Sequence, residues 1–291
     1  MKKSINKYYF LAIVTLLVFS NSGWIYGQQA NTTTITILHT NDTHSRIESL
    51  TSNDKRYPGR AGYVNRAAII NNTRKEQKNT LLLDAGDFLQ GTPYFNFYKG
   101  TLEIELMNRL GYVAATLGNH EFDLGVNHLA KILKKAKFSI LNCNYDVSKS
   151  PLKKIIKPWI IVKLGVLKIG ITGVGVNPEG LITPENFKGI IYHDAIESVN
   201  KTAQMLKFDK TCDYIICLSH LGYQQPNGIP SDIELAKNSS FINVIIGGHT
   251  HTLLEQPDTV INIIEKTVSI TQCGSMGINI GRMDVAFQRS K

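Results

Sequence analysis

Five times along the chain, an apolar and β-branched run breaks off into a cluster of Asp, Asn and His. Residues 34–38 lead into Asp42 and His44, and residues 80–83 into Asp87. Residues 112–117 lead into Asn119 and His120, residues 214–218 into His220, and residues 242–246 into His249 and His251. Runs of this composition read as buried strands. Between them lie stretches with helical spacing: residues 61–78, 102–110, 125–138, 194–206 and 233–238. In the third of these, Val126, Leu129, Ile132 and Leu133 fall on one face and lysines on the other. In the first, Val64, Ala68 and Ile69 are expected on the buried side. A short strand is read at residues 139–142, a hairpin at 159–164 and 167–172, and closing strands at 259–264, 267–271 and 278–287. Residues 45–60 and 173–189 read as loops. Strands that alternate with helices indicate an α/β sheet, in which ligands bind beyond the strand ends.

Each cluster has chemistry suited to that position. Gly118-Asn119-His120-Glu121-Phe122-Asp123 falls where one strand has ended and the next helix has not begun. Asn119 offers a carbonyl oxygen and His120 an imidazole, and Asp123 can curl back to hold that imidazole in one tautomer. Asp42 and His44, two apart, make a half-site for a divalent cation if the backbone bends there. Asp84 and Asp87 both qualify in their segment; Asp87 is preferred, because it follows Gly86 and lies farther beyond the strand. His39, His128 and His193 lie outside the clusters and are read as structural. Incidental turn residues would explain any one cluster, but five are harder to assign to chance. Seven donors (Asp42, His44, Asp87, Asn119, His220, His249 and His251) exceed the four that zinc takes. They suit two cations about 3.5–4 Å apart, with Asp87 as the bridging carboxylate. Mixed nitrogen and oxygen donors favour zinc, manganese or iron over calcium or magnesium.

Composition narrows the setting. The chain has 291 residues, 43% hydrophobic and 19% charged, an ordinary globular mixture with enough length for a sizeable core. Residues 1–27 read as a secretory signal: Lys2, Lys3 and Lys7, then an apolar stretch, then a polar region ending at Gly27. The apolar part is short for a transmembrane helix, which needs about 20 residues. The expectation is therefore a secreted or periplasmic protein without stable membrane insertion after cleavage, its domain being residues 28–291. Removing the three lysines lowers the net charge from +9 to +6. The lysines at 131, 134, 135 and 137 read as a solvated helix face, not a nucleic-acid site, though a positive field helps attract an anionic substrate. Tyr94, Phe95, Phe97 and Tyr98 are expected to pack beneath a loop. Cys143, Cys212, Cys217 and Cys273 show no zinc-type spacing; a disulfide is open, but buried free thiols are preferred. Cys212 and Cys217 are expected to point to opposite faces of a strand.

The order Asp-x-His, Gly-Asp, Gly-Asn-His-Glu, His, Gly-His-x-His resembles the calcineurin-type metallophosphoesterases. More narrowly, His39-Thr40-Asn41-Asp42, Leu82-Leu83-Asp84-Ala85-Gly86-Asp87 and Gly118–Asp123 are similar to the catalytic domain of secreted 5′-nucleotidases and UDP-sugar hydrolases. The resemblance implies a four-layer αββα sandwich of two mixed sheets flanked by helices. It implies one cation held by Asp42, His44, Asp87 and His251, and a second held by Asp87, Asn119, His220 and His249. It further implies His120 and Asp123 as the catalytic pair, Asn119 and His120 near the phosphate, and water made nucleophilic between the cations. The implied reaction is hydrolysis of phosphate monoesters, 5′-nucleotides first. Phosphodiesters, nucleotide sugars and sugar phosphates are the alternative substrates. His251 stands where many nucleotidases carry an amide. The family's C-terminal substrate domain is expected to be absent or to form a separate chain, so a subunit that acts only with such a partner is a third reading.

Overall fold

The structure, a computed structural model, describes residues 32–226 and 228–288. The leader read at residues 1–27 lies outside the described residues. The first part of the chain forms β1 (Thr32–Thr40), α1 (Tyr63–Glu76), β2 (Thr80–Asp84), α2 (Pro93–Tyr98), α3 (Thr101–Leu110), β3 (Ala114–Ala115), α4 (Gly125–Leu133), β4 (Ser139–Leu141), β5 (Tyr145–Asp146) and β6 (Ile156–Lys157). The second part forms β7 (Trp159–Leu164), β8 (Leu167–Val174), β9 (Ile191–Tyr192), α5 (Ala195–Phe208), β10 (Tyr214–Ser219), α6 (Asp232–Lys237), β11 (Val244–Ile246), β12 (Asp258–Ile261), β13 (Thr267–Thr271) and β14 (Gly281–Gln288). One sheet has the order β14-β1-β2-β3-β4-β6 and the other β12-β13-β11-β10-β8-β7. β14 closes the first sheet by pairing antiparallel with β1, and β5 pairs with β9 in a small ribbon.

Side-chain alternation along the strands builds the layers. Leu81 and Leu83 of β2 pack with Ile216 and Leu218 of β10 and with Val244 and Ile246 of β11, in a core between the two sheets. Leu82 points the other way, into a core with Ile70, Ile104, Met107, Leu129 and Ile132 from α1, α3 and α4. Ile215 and Ile245 likewise leave the central core for Val199, Ala203, Leu206 and Leu235 of α5 and α6. Strands buried on both faces read as continuous apolar runs, and parallel strands in α/β proteins have this character. The result is the four-layer helix-sheet-sheet-helix sandwich. No helix among the described residues is long and apolar enough to cross a membrane.

Several local expectations change. On α1 the buried residues are Arg66, Ile70 and Thr73, whereas Val64 and Ile69 are 77% and 51% exposed. The helix is turned by its arginines: Arg66 donates to the Arg46 carbonyl at 3.1 Å, and Arg74 donates to those of Leu110 and Gly111 at 2.6 and 2.9 Å. Hydrogen bonds from the arginines to these carbonyls outweigh the burial of two apolar side chains here. The aromatic run forms α2 on the surface; Phe95 is buried, but Phe97 is 81% exposed. β3 is two residues long, and α4 ends at Leu133, where Lys135 and Ala136 donate into tight turns. Cys212 precedes β10, and it packs in the same α5–α6 core as Cys217, not on the opposite face. All four cysteines are free thiols.

Candidate active site

β1 and β2 run parallel to each other in one sheet, β10 and β11 in the other, and the chain beyond their C-terminal ends carries the polar clusters. The strand ladder stops there, so the backbone is free to bend. Asp42, His44, Asp87, His249 and His251 all have positive φ, between 45° and 74°. Left-handed backbone at a non-glycine residue is uncommon and collects at functional sites. Neighbouring turns hold these bends: Asp42 N–H donates to the Gly86 carbonyl at 2.9 Å, and His44 N–H to that of Asp87 at 3.0 Å.

The bends bring side chains from both sheets together. Asp42, His44 and His251 form one group that could hold a metal ion, and Asp87, His220 and His249 form another, the donor atoms of each lying within 4.8 Å of one another. His251 Nε2 lies 3.3 Å from Asp42 Oδ1 and 3.1 Å from His44 Nε2. His220 Nε2 lies 3.1 Å from Asp87 Oδ2 and 3.9 Å from Asp42 Oδ1, which brings the two groups side by side. Asp42 and His220 are fully buried. His249 N–H donates to both Asp42 oxygens, at 3.1 and 3.0 Å.

Several observations fit a cation. His220 Nδ1 donates to the Ala85 carbonyl at 2.7 Å, so that nitrogen keeps its proton and Nε2, facing the carboxylates, is the one that would give up its proton to a cation. Nε2 is buried and has no aligned hydrogen-bond partner, and neither has Asn119 Oδ1. Burial alone would lower the His220 pKa, yet Asp87 and Asp42 push it up to about 10. That reversal reflects a strongly negative point, the kind that attracts a divalent cation. Burial pulls His249 down to about 4, the neutral form a ligand needs. Gly118 leaves space here, because a Cβ would sit 2.2 Å from Asp87 Oδ1 and 2.5 Å from His220 Nε2.

His120 stands at the open edge of these groups. Its Nδ1 lies 3.0 Å from Asp123 Oδ2, and its ring centroid is 5.4 Å from that of His44. The hydrogen bond to Asp123 raises the His120 pKa against the opposing effect of burial. Its backbone N–H donates to Asp87 Oδ1 at 2.9 Å. The calcineurin-like phosphoesterase family matches over residues 35–253. The chain belongs to that family.

Relatives in the calcineurin-like phosphoesterase family are similar over nearly all of this chain. The trifunctional nucleotide phosphoesterase YfkN of Bacillus subtilis is 31% identical over 285 residues, covering 87% of this chain and 18% of its own length. The snake venom 5′-nucleotidase of Naja atra is 33% identical, covering 87% of this chain and 50% of its own. The crystal structure of a 5′-nucleotidase precursor from Thermus thermophilus superposes with a TM-score of 0.78 at 35% identity, over 87% of this chain and 51% of that one. The chain thus spans about half or less of the length of these relatives.

Of the sequence candidates, the structure brings Asp42, His44, Asp87, His220, His249 and His251 into the two groups and sets His120 with Asp123 beside them. Asp84 takes no part: it accepts from Thr40 Oγ1 at 2.5 Å and from Gly86 N–H at 2.9 Å, and burial raises it to about 7. Three supporting residues were missed. Asn41 donates to Asp42 Oδ2 at 2.7 Å and accepts from Cys273 N–H at 2.9 Å. Gln272 donates to the Gly248 carbonyl at 2.6 Å and accepts from Thr252 N–H. Glu121 accepts three backbone N–H groups. Asn41 and Glu121 stand inside motifs already in view. Asking which side chain satisfies the N–H groups of the bends would have marked them.

Proposed function

We propose that this chain hydrolyses phosphate monoesters, 5′-nucleotides first, with two divalent cations of the zinc, manganese or iron kind. The observation that carries the reading is the pair of Asp/His groups side by side, with the His120–Asp123 couple at their open edge. Asp42, His44 and His251 would hold one cation, and His220, His249 and Asn119 the other. Asp87 would serve both. Bound there, the cations would lower the pKa of a shared water and draw charge from the phosphoryl oxygens. Asp123 fixes His120 through Nδ1, which leaves Nε2 to face the phosphoryl group or to protonate the departing alkoxide. Asn119 also reaches the phosphate. The wall behind them is buried, so these charges are less screened than they would be in water.

A second reading, hydrolysis of phosphodiesters, nucleotide sugars or sugar phosphates, draws support from the similarity to a relative named as trifunctional. In a third, the chain acts with a separate chain that binds the nucleoside. Residues 1–27 act as a leader in all three, and residues 28–291 as one secreted or periplasmic catalytic domain. N-terminal sequencing of the exported protein should then begin near Gln28.

The test is hydrolysis of p-nitrophenyl phosphate, AMP and a cyclic nucleotide, with and without a chelator. Chelator-sensitive turnover that favours AMP supports the first reading, and a preference for the cyclic ester supports the second. Absence of metal-dependent turnover on every ester would overturn both and leave the partner-dependent form.

A further inference from the structure

Glu121 is a buried carboxylate, 3% exposed, in the middle of the motif that supplies Asn119 and His120. Its Oε2 accepts the N–H of Asp87 at 2.9 Å and of Gly118 at 2.6 Å, and its Oε1 accepts the N–H of Leu89 at 3.1 Å. These three amides belong to the two turns that carry the candidate donors Asp87 and Asn119. The first turn is bent at consecutive residues, Gly86 at φ 91° and Asp87 at φ 55°. Such a bend directs amides inward, where no ladder partner remains. Buried and unpaired, they would favour a relaxed backbone that moves the Asp87 side chain. Contact between the turns is close, as the 2.2 Å from a Gly118 Cβ to Asp87 Oδ1 indicates. The remaining tie across them is the His120 N–H to Asp87 Oδ1 hydrogen bond at 2.9 Å, which orients the carboxylate but not its backbone.

We propose that Glu121 is a positioning residue: by accepting from Asp87, Leu89 and Gly118 at once, it locks the Asp87 turn to the Gly118 turn and fixes how the Asp87 carboxylate and the Asn119 amide face the same cation. The role rests on the metal reading above. Backbone amides take up both Glu121 oxygens, so the residue acts through Asp87 and Asn119. Both of its oxygens are needed, since the three donors divide between them. Glutamine has nearly the same volume but offers one oxygen and an NH₂ group. The NH₂ group would meet an N–H head-on while the core stays filled: at the Oε1 position it would free the Leu89 amide from the lock, and at the Oε2 position it would free the Asp87 and Gly118 amides together. Aspartate keeps both acceptors but falls one methylene short.

The experiment compares the full wild-type chain with Glu121→Gln and Glu121→Asp. Each is stripped with chelator and checked by near-UV circular dichroism, then titrated with zinc by calorimetry and assayed on p-nitrophenyl phosphate. Expected are wild-type dichroism for the stripped Gln variant, zinc affinity lower by about 10–100-fold, and kcat reduced with little change in KM. The Asp variant should fall between the two. Wild-type zinc affinity in a folded Gln variant would overturn the positioning role and leave the metal reading standing. Should the Gln variant fail to fold, a folded Asp variant with weakened zinc binding supports the role, and one with wild-type affinity overturns it. Failure of both to fold also overturns it, because Glu121 would then be holding the fold, not the site. A wild-type chain that takes up no zinc would overturn the metal reading, and the positioning role with it.

Discussion

His120 and Asp87 are joined by one backbone hydrogen bond, yet removing each side chain should fail differently. Asp87→Ala takes away the carboxylate proposed to serve both cations, and metal analysis should then find both lost. His120→Ala leaves the donors in place, so metal content should hold while turnover falls about 10²–10⁴-fold, the range for a general acid. Equal metal loss in both variants would refute this division. His39 makes a separate prediction. It is fully buried against Thr271 Oγ1 at 3.1 Å, and burial lowers it from 6.5 to about 4. The unfolded chain therefore binds a proton that the folded chain refuses. Stability from this residue is complete above about pH 6.5 and is lost as pH falls toward 4, by about 3 kcal/mol at full extent. Urea unfolding of the chelated protein at pH 7.5 and 4.5 should show a smaller acid loss in His39→Gln than in the wild type.

At the level of elements, α1 and α4 show what the apolar pattern tells and where it stops. On α4, Val126, Leu129, Ile132 and Leu133 share a face and are buried, as their spacing requires. On α1, apolar residues occur around the helix and long arginines decide which side faces in. Leu129→Ala should accordingly cost about 2–5 kcal/mol, and Val64→Ala should stay within about 0.5 kcal/mol, both read from urea unfolding. A large loss at Val64 would mean that α1 faces the other way. The strands were legible because those buried on both faces are apolar throughout, so β2, β10 and β11 stood out. Clusters at their ends were legible because Asp and His have no place in such a ladder. What stayed hidden was support from afar: Asn41 with Cys273, Gln272 with Gly248, and Glu121 with the Asp87 turn. Those partners are defined by backbone amides, and amides leave no trace in residue type.

Across the whole molecule, each candidate metal group takes donors from both sheets: Asp42 and His44 beside His251, and Asp87 beside His220 and His249. A cation bound to the folded state alone adds about 2.7 kcal/mol when free metal is a hundredfold above its Kd. Chelation should therefore lower Tm by roughly 5–10 °C, and zinc or manganese should restore it. An unchanged melting curve would count against both groups. The same arrangement has a consequence for biosynthesis. His44 and His251 meet across 207 residues of chain. A polypeptide still being synthesised carries only fragments of either group. On the proposed metal reading, capture would come late, after the second sheet has docked, and stoichiometric loading would certify that maturation is finished.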